Sequence, residues 1–216
     1  ASDGGGGGGG RGDGGGVEIR LIGKPVALHP DVGITIEALH SPQIVSARVL
    51  QEADVGFVFS SIAHPSLSQE HIADGYMVCV APKGMLAPVL VRSGTVHLTD
   101  LADTPVVRLD VRDPIGTVVS HACREAGVGL RTAITVQTYH AALTLARHGH
   151  AVALVDACTA ASADRSQVDV LALAPHIPVP IQSLRTVNRP ASLLASAMTA
   201  CMRQAVAETM ASAPQS

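Results

Sequence analysis

The fold is indicated most clearly by residues 134–156, whose sequence is ITVQTYHAALTLARHGHAVALVD. The stretch opens with the β-branched alternation of a strand, and Thr138 then offers a side-chain oxygen to the free N–H groups of a new helix. Apolar residues follow at helical spacing, and Gly149 favours the left-handed turn that ends a helix. Residues 151–155 are apolar throughout, which is typical of a strand covered on both faces. We therefore predict a strand, a helix and a second strand.

This unit places a candidate binding site at the start of its helix. In open α/β sheets, ligands gather beyond the carboxyl ends of strands, where helix N-termini point free N–H groups outward. Gln137, Thr138 and Tyr139 occupy that position. The alternative is purely structural, with Thr138 as a helix cap and Tyr139 as a packed ring.

Composition excludes several classes of protein. The chain has 216 residues, 47% of them hydrophobic, which is enough for one larger domain or two lobes. Its net charge is −3, its 15 Lys and Arg residues are spread along the chain, and aromatic residues make up only 2%. These values argue against a basic stripe or a stacking platform for nucleic acid. No long apolar run or signal peptide places the chain in a membrane.

The cysteines and histidines do not predict a metal centre. The four cysteines are far apart, lie among apolar neighbours and form no CxxC pair, so we expect reduced, buried thiols of a cytoplasmic protein. His148 and His150 are separated by one residue, which is poor metal geometry without a third ligand. We expect no metal and no cofactor. The cysteines are Cys79, Cys123, Cys158 and Cys201.

Strands and helices alternate along most of the chain. Residues 1–16 are Gly-rich and cannot form a core, so we predict a flexible segment or an artificial extension. Only residues 23–31 lie between the first two predicted strands, too few for a full crossover helix. The alternation predicts a mostly parallel sheet. We predict strands at 17–22, 32–39, 54–59, 75–82, 106–110, 134–137, 151–155, 170–173 and 181–187, and helices from Ser41, from Pro114 and over 191–210.

Five segments, taken in order, resemble the effector-binding domain of LysR-type transcriptional regulators. Each is weakly specific alone, but their order and spacing are those of the family. They are EADVGFV at 52–58, VCVAPKG at 78–84, LTDLADTPVV at 98–107, ITVQTYHAAL running into HGHAVALVD over 134–156, and the strand before NRP at 188–190.

The resemblance implies a type II periplasmic-binding-protein-like α/β fold. Two lobes with mixed, mostly parallel sheets would be joined by two crossover strands, near 103–108 and 183–187, with a ligand cleft between the lobes. Lobe I would comprise residues 17–104 plus 184–213, and lobe II residues 105–183. Two features depart from the family pattern: the first family helix is largely missing between Gly23 and His29, and a usual Gly-x-Gly is here Gly-His-Ala at 149–151.

The resemblance also implies a function. The chain would be the small-molecule sensing and oligomerising part of a bacterial, cytoplasmic regulator, and its effector would be an amino acid, an opine or another carboxylate. It would form a homodimer or tetramer through the helices that start near Ser41 and Gly116. It would reach DNA only through an N-terminal winged helix-turn-helix that is absent here. The alternative with the same fold is the solute-binding protein of a transporter, whereas an enzyme is disfavoured because no GxSxG or Walker motif occurs.

Nine residues are candidate ligand contacts, and several of them have a structural alternative. Ser41 is equally consistent with a helix cap, and Phe59 with a core residue. Two further residues are less specific. Arg108 is expected on a solvated face, and Asp156 is expected either to bind a ligand amine or to cap the next turn. The nine candidates are Ser41, Phe59, Ser60, Asp110, Gly116, Thr117, Gln137, Thr138 and Tyr139.

Overall fold

The computed structural model describes residues 41–60, 63–111, 113–187, 190 and 192–211. The Gly-rich segment 1–16, the predicted strands at 17–22 and 32–39 and the short interval 23–29 lie outside the described residues.

The described elements alternate between strands and helices as the sequence predicts. The helices are α1 (Ser41–Val49), α2 (Pro88–Ser93), α3 (Pro114–Glu125), α4 (Tyr139–Arg147), α5 (Ala157–Ala160) and α6 (Leu193–Ala211), with a 3-10 helix at Leu98–Leu101. The strands are β1 (Gly56–Val58), β2 (Leu67–Pro82), β3 (Thr95–His97), β4 (Val106–Leu109), β5 (Thr132–Val136), β6 (Val152–Asp156), β7 (Val168–Ala174) and β8 (Pro178–Thr186). Short elements such as α2, β3 and α5 were not expected from the sequence.

The strand-helix-strand unit at 134–156 is confirmed. It forms β5, α4 and β6, with Thr138 at the N-cap of α4. Gly149 follows the helix with a φ of 78°, in the left-handed region that glycine adopts without steric cost. All five residues of β6 are buried, as their apolar run indicates. Gly127 ends α3 in the same way, with a φ of 64°.

One long strand, β2, belongs to two sheets. Residues 67–76 pair antiparallel with β8, which also pairs antiparallel with β1; we name these strands the first sheet. Residues 77–82 pair antiparallel with β6 and β7 in the second sheet. There, β4 lies between β6 and β5, and β3 lies beside β7, all three pairs being parallel. The α/β class with mixed sheets is confirmed, and β2 and β8 contribute its antiparallel pairs.

These pairings contradict the crossover positions at 103–108 and 183–187. The chain passes from the first sheet to the second at Tyr76–Met77 within β2, and it returns between β7 and β8, where the Met77 N–H donates to the Ile177 carbonyl at 2.9 Å. Segment 67–74, LSQEHIAD, is too polar to be recognised as a strand, so the sequence shows only the buried half of β2. The lobe limits at 104 and 183 stay a prediction.

The core has four apolar clusters, one on each face of each sheet. In the second sheet, α3 covers one face with Ile115 and Val119, and α4 covers the other with Ala142 and Leu143. In the first sheet, the partly buried side chains of α1 pack on Val58 and Leu184, while α6 covers Ile72 and Ile181. This packing fixes the first turns of α3 and α4 at one end of the second sheet.

Candidate functional site

A pocket opens where β4 and β6 end and α3 and α4 begin. It encloses about 200 Å³ of empty space, part of which is open to solvent. Two of its residues, Arg108 and Tyr139, have polar side chains, and Gly116 contributes backbone. The remaining wall is apolar and consists of Met77, Leu109, Ile115, Val119 and Leu154. This combination of an apolar wall with a few polar groups is typical of small-molecule sites.

The first turn of α3 lies unusually close to the end of β4. Asp113 caps the helix, because its Oδ1 accepts a hydrogen bond from the Ile115 N–H at 2.9 Å. A Cβ atom on Gly116 would lie 2.2 Å from the Asp110 carbonyl oxygen, far inside van der Waals contact. Glycine at this position therefore serves the chain's own packing, whereas the sequence made Gly116 a candidate ligand contact.

Among the described residues, Arg108 is the one cation that lines the pocket. Its Nη2 donates to Ser120 Oγ at 2.5 Å, and Ser120 Oγ donates to the Gly116 carbonyl at 2.7 Å, so α3 holds the guanidinium in place. Its Nε is buried and has no hydrogen-bond acceptor among the described residues. No carboxylate in the described part of the chain forms an ion pair with it. The structure thus contradicts the solvated face expected for this arginine.

Tyr139 supplies a second polar group at the pocket. Its hydroxyl donates to Met77 Sδ at 3.5 Å. Burial raises the pKa of the Tyr139 hydroxyl well above its usual value, and the nearby charges of Asp156 and Asp113 raise this pKa further. The hydroxyl therefore remains protonated at neutral pH, as its hydrogen bond to Met77 requires.

Asp156 takes the capping role that the sequence left open. Its carboxylate accepts from the Thr159 N–H at 2.9 Å and from the Thr159 hydroxyl, at the start of α5. Burial raises the pKa of Asp156, and its hydrogen bonds to Thr159 oppose that increase. The structure therefore gives this carboxylate a local partner rather than a ligand amine.

The nine candidate residues are only partly brought together. Gly116 and Tyr139 line the pocket, and Thr117, Gln137 and Thr138 are exposed residues in or beside the same helix starts. The Thr117 hydroxyl donates to the Val111 carbonyl at 2.9 Å. The Asp110 N–H donates to the Val136 carbonyl at 3.1 Å, which ties the ends of β4 and β5.

The other three candidates lie outside the pocket wall. Ser41 is the first residue of α1, and Phe59 is half-buried and packs against apolar clusters of both sheets. Ser60 is 7% exposed, and its hydroxyl has no hydrogen-bond partner among the described residues. Ligand contact by all nine candidates stays a prediction.

Most of the residues that form the pocket wall are not among the nine candidate ligand contacts. They lie on three strands and one helix, and as apolar residues they are indistinguishable from core. Arg108 carried a usable signal, because it is a cation inside the apolar strand VVRL and shares a strand face with the buried Val106. The residues that were not proposed are Met77, Arg108, Leu109, Ile115, Val119 and Leu154.

We predict that Thr138→Ala lowers the free energy of unfolding by about 1 kcal/mol, because Thr138 Oγ1 accepts the Ala141 N–H at 3.2 Å as the N-cap of α4. Chemical denaturation measures this change. Thr138→Ser keeps the capping oxygen and serves as the matched control. Equal stability of the alanine and serine variants would contradict the capping role.

Comparison with known proteins identifies the family. Residues 19–208 match the model of the LysR substrate binding domain. The chain belongs to this family. A curated LysR-type relative, the HTH-type transcriptional regulator DgcR of Pseudoalteromonas sp, is 23% identical over 161 residues, which cover 74% of this chain and 54% of that protein. The chain therefore spans about half the length of the curated relative that it matches.

Solved LysR structures share the fold. The effector-binding domain of BenM with its effector benzoate is similar with a TM-score of 0.73 at 20% identity, covering 92% of this chain and 90% of that one. The regulatory domain of CcmR from Synechocystis PCC6803, in complex with 2-PG, has a TM-score of 0.73 at 15% identity, covering 86% and 89%. These likenesses confirm the periplasmic-binding-protein-like fold. The family and its regulators do not favour the transporter alternative.

No described helix combines the length and apolar character needed to cross a membrane. Within the same residues, no three His, Cys, Asp or Glu side chains come together as a potential metal site.

Proposed function

We propose that this chain is the effector-sensing part of a LysR-type transcriptional regulator and that its effector binds in the pocket between α3 and α4. The observation that carries the proposal is the convergence of Arg108, Tyr139 and an apolar wall at the carboxyl ends of β4 and β6. Ligands of α/β sheets bind at such strand ends.

The pocket is placed so that a ligand can influence the relation between the two sheets. Met77, one of its walls, is the first residue of β2 that pairs in the second sheet, and Tyr139 contacts its sulfur. A ligand that contacts both residues in only one arrangement of the sheets stabilises that arrangement. A differential affinity of about 1–3 kcal/mol is sufficient for such coupling.

The same proposal includes self-association. Leu50, directly after α1, is 65% exposed, and Val118 of α3 is 40% exposed. We propose that α1 and α3 contribute to a homodimer or tetramer through these apolar side chains, so that ligand binding changes how subunits pack. DNA binding, as implied by the helix-turn-helix of the relative DgcR, would come from a part of the regulator other than the described residues.

We further propose that the domain is not an enzyme and acts in the cytoplasm. The described residues that line the pocket include no carboxylate, histidine, serine or cysteine, so they provide no nucleophile with an adjacent base. Three cysteines, Cys79, Cys123 and Cys158, are buried free thiols, and Cys201 is a partly buried one. Unpaired thiols are typical of a reducing compartment.

A pair of substitutions on α3 tests the binding site. Val119 lines the pocket, whereas His121 is exposed and outside the lining. We expect Val119→Phe to fill the pocket and abolish the thermal shift produced by ligands from a screen of amino acids, opines and small organic acids. His121→Phe should leave that shift intact.

The screen has an outcome that removes the proposal. If ligands bind the natural chain and the Val119→Phe variant equally, the site is elsewhere. If no compound raises the unfolding midpoint of the folded chain, the sensing role fails. The unfolding midpoints of both variants, measured without ligand, test whether the variants are folded.

A further inference from the structure

Arg108 is a half-buried cation that forms no ion pair among the described residues. One guanidinium nitrogen donates to Ser120, and the buried Nε–H has no acceptor among the described residues. A buried N–H without an acceptor typically costs about 1–3 kcal/mol, and more when the donor is charged. The chain keeps this arginine in a strand whose other three residues, Val106, Val107 and Leu109, are buried and apolar. An acceptor supplied by a ligand would remove the cost.

The surroundings of Arg108 fix its orientation. Ser120 Oγ accepts a hydrogen bond from Nη2 and donates its own hydrogen bond to the Gly116 carbonyl. The acceptor lone pairs of Ser120 are therefore directed at the guanidinium. The pocket wall around the arginine is apolar apart from Tyr139. A preorganised guanidinium beside an apolar wall suits a planar carboxylate on a compact apolar body, because the N–H fork matches the two oxygens.

We propose that Arg108 determines the specificity of the pocket by pairing with a carboxylate of the effector. Nε and Nη2 donate to the carboxylate, and Met77, Leu109, Ile115, Val119 and Leu154 enclose the rest of the molecule. The inference rests on the proposed function, since it names the ligand class of the same pocket. Uncharged molecules of the same shape bind more weakly, because they leave the guanidinium without a counter-charge.

The test compares each acid with its amide. Benzoate and benzamide have nearly the same shape. Every acid found in the screen is compared with its amide in the same way. We expect the natural chain to bind the acid at least about tenfold more tightly than the amide, as loss of one charge-assisted hydrogen bond implies. Arg108→Met should abolish this preference, and Arg108→Lys should retain part of it. Arg124→Met removes an exposed arginine at the other end of α3 and should change nothing.

A second measurement does not depend on a variant that folds. In the natural chain, the Nε–H resonance of Arg108, assigned by its absence in Arg108→Lys, should shift as an acid that binds is titrated in. Equal affinity for acid and amide, or an unshifted Arg108 resonance, overturns the inference. If the screen yields only uncharged ligands that Val119→Phe excludes, the inference fails and the sensing role stands. If no ligand depends on Val119, the proposed site and the inference fail together.

Discussion

Gly116→Ala is expected to lower the free energy of unfolding by about 3 kcal/mol or more, because the new methyl group would collide with main chain. The Cβ atom would lie 2.2 Å from the Asp110 carbonyl oxygen and 3.1 Å from that of Leu109. Neither atom can rotate away as a side chain would, so the first turn of α3 must move from the end of β4. Since this turn forms part of the pocket, ligand affinity should fall together with stability. Urea denaturation and ligand titration measure the two effects.

Gly129→Ala is the matched control. No atom lies within 4 Å of the Cβ position at Gly129, and its φ is not positive. Alanine there should be neutral or stabilise the chain by up to about 1 kcal/mol, because it reduces the freedom of the unfolded state. Similar behaviour of the two alanine variants would show that α3 does not need its close approach to β4.

Arg48→Met should produce the second largest loss, about 2–4 kcal/mol, since it removes charged donors from acceptors that are shielded from water. Arg48 lies on α1 and is 7% exposed. Its Nε donates to the Leu184 carbonyl at 3.3 Å, Nη1 to the Ala53 carbonyl and Nη2 to Thr186 Oγ1 at 3.2 Å. Methionine keeps most of the apolar stem and makes none of these bonds. The midpoint of urea denaturation measures the change.

Arg92→Met separates this effect from the general loss of a positive charge. Arg92 is an exposed residue in the last turn of α2. Its replacement should change the free energy of unfolding by less than about 0.5 kcal/mol. A loss at Arg48 no larger than the loss at Arg92 would mean that the three hydrogen bonds do not hold α1 against β8.

The sequence predicted local structure where one short segment contains the whole cause. Thr138 before a helical pattern caps α4, and Gly127 and Gly149 adopt the left-handed conformation that ends α3 and α4. The apolar run before Asp156 is a buried strand. These outcomes depend on backbone sterics and on hydrogen bonds between neighbours in the chain, so they are encoded locally.

The sequence also determined the family. Weakly specific segments in a fixed order pointed to the LysR effector-binding domain, and the family match over residues 19–208 confirms it. The order of segments preserves the order of strands and helices, which is why fold class survives at 20% identity or less in the solved structures. The order of segments could not locate the crossovers, because the polar half of β2 has the sequence of a loop. Only its pairing with β8 in the folded chain makes it a strand.

Only the tertiary structure decided which side chains form the pocket. Met77, Arg108, Tyr139 and Leu154 come from separate elements and meet because β4 and β6 are neighbours and α3 and α4 begin at the same end of the sheet. The sequence determined that Arg108 interrupts an apolar strand, but the absence of an ion pair at Arg108 among the described residues depends on what distant segments place around it. The physical reason is that burial and charge balance are properties of packed neighbours, whereas helix caps and strand patterns are properties of adjacent residues.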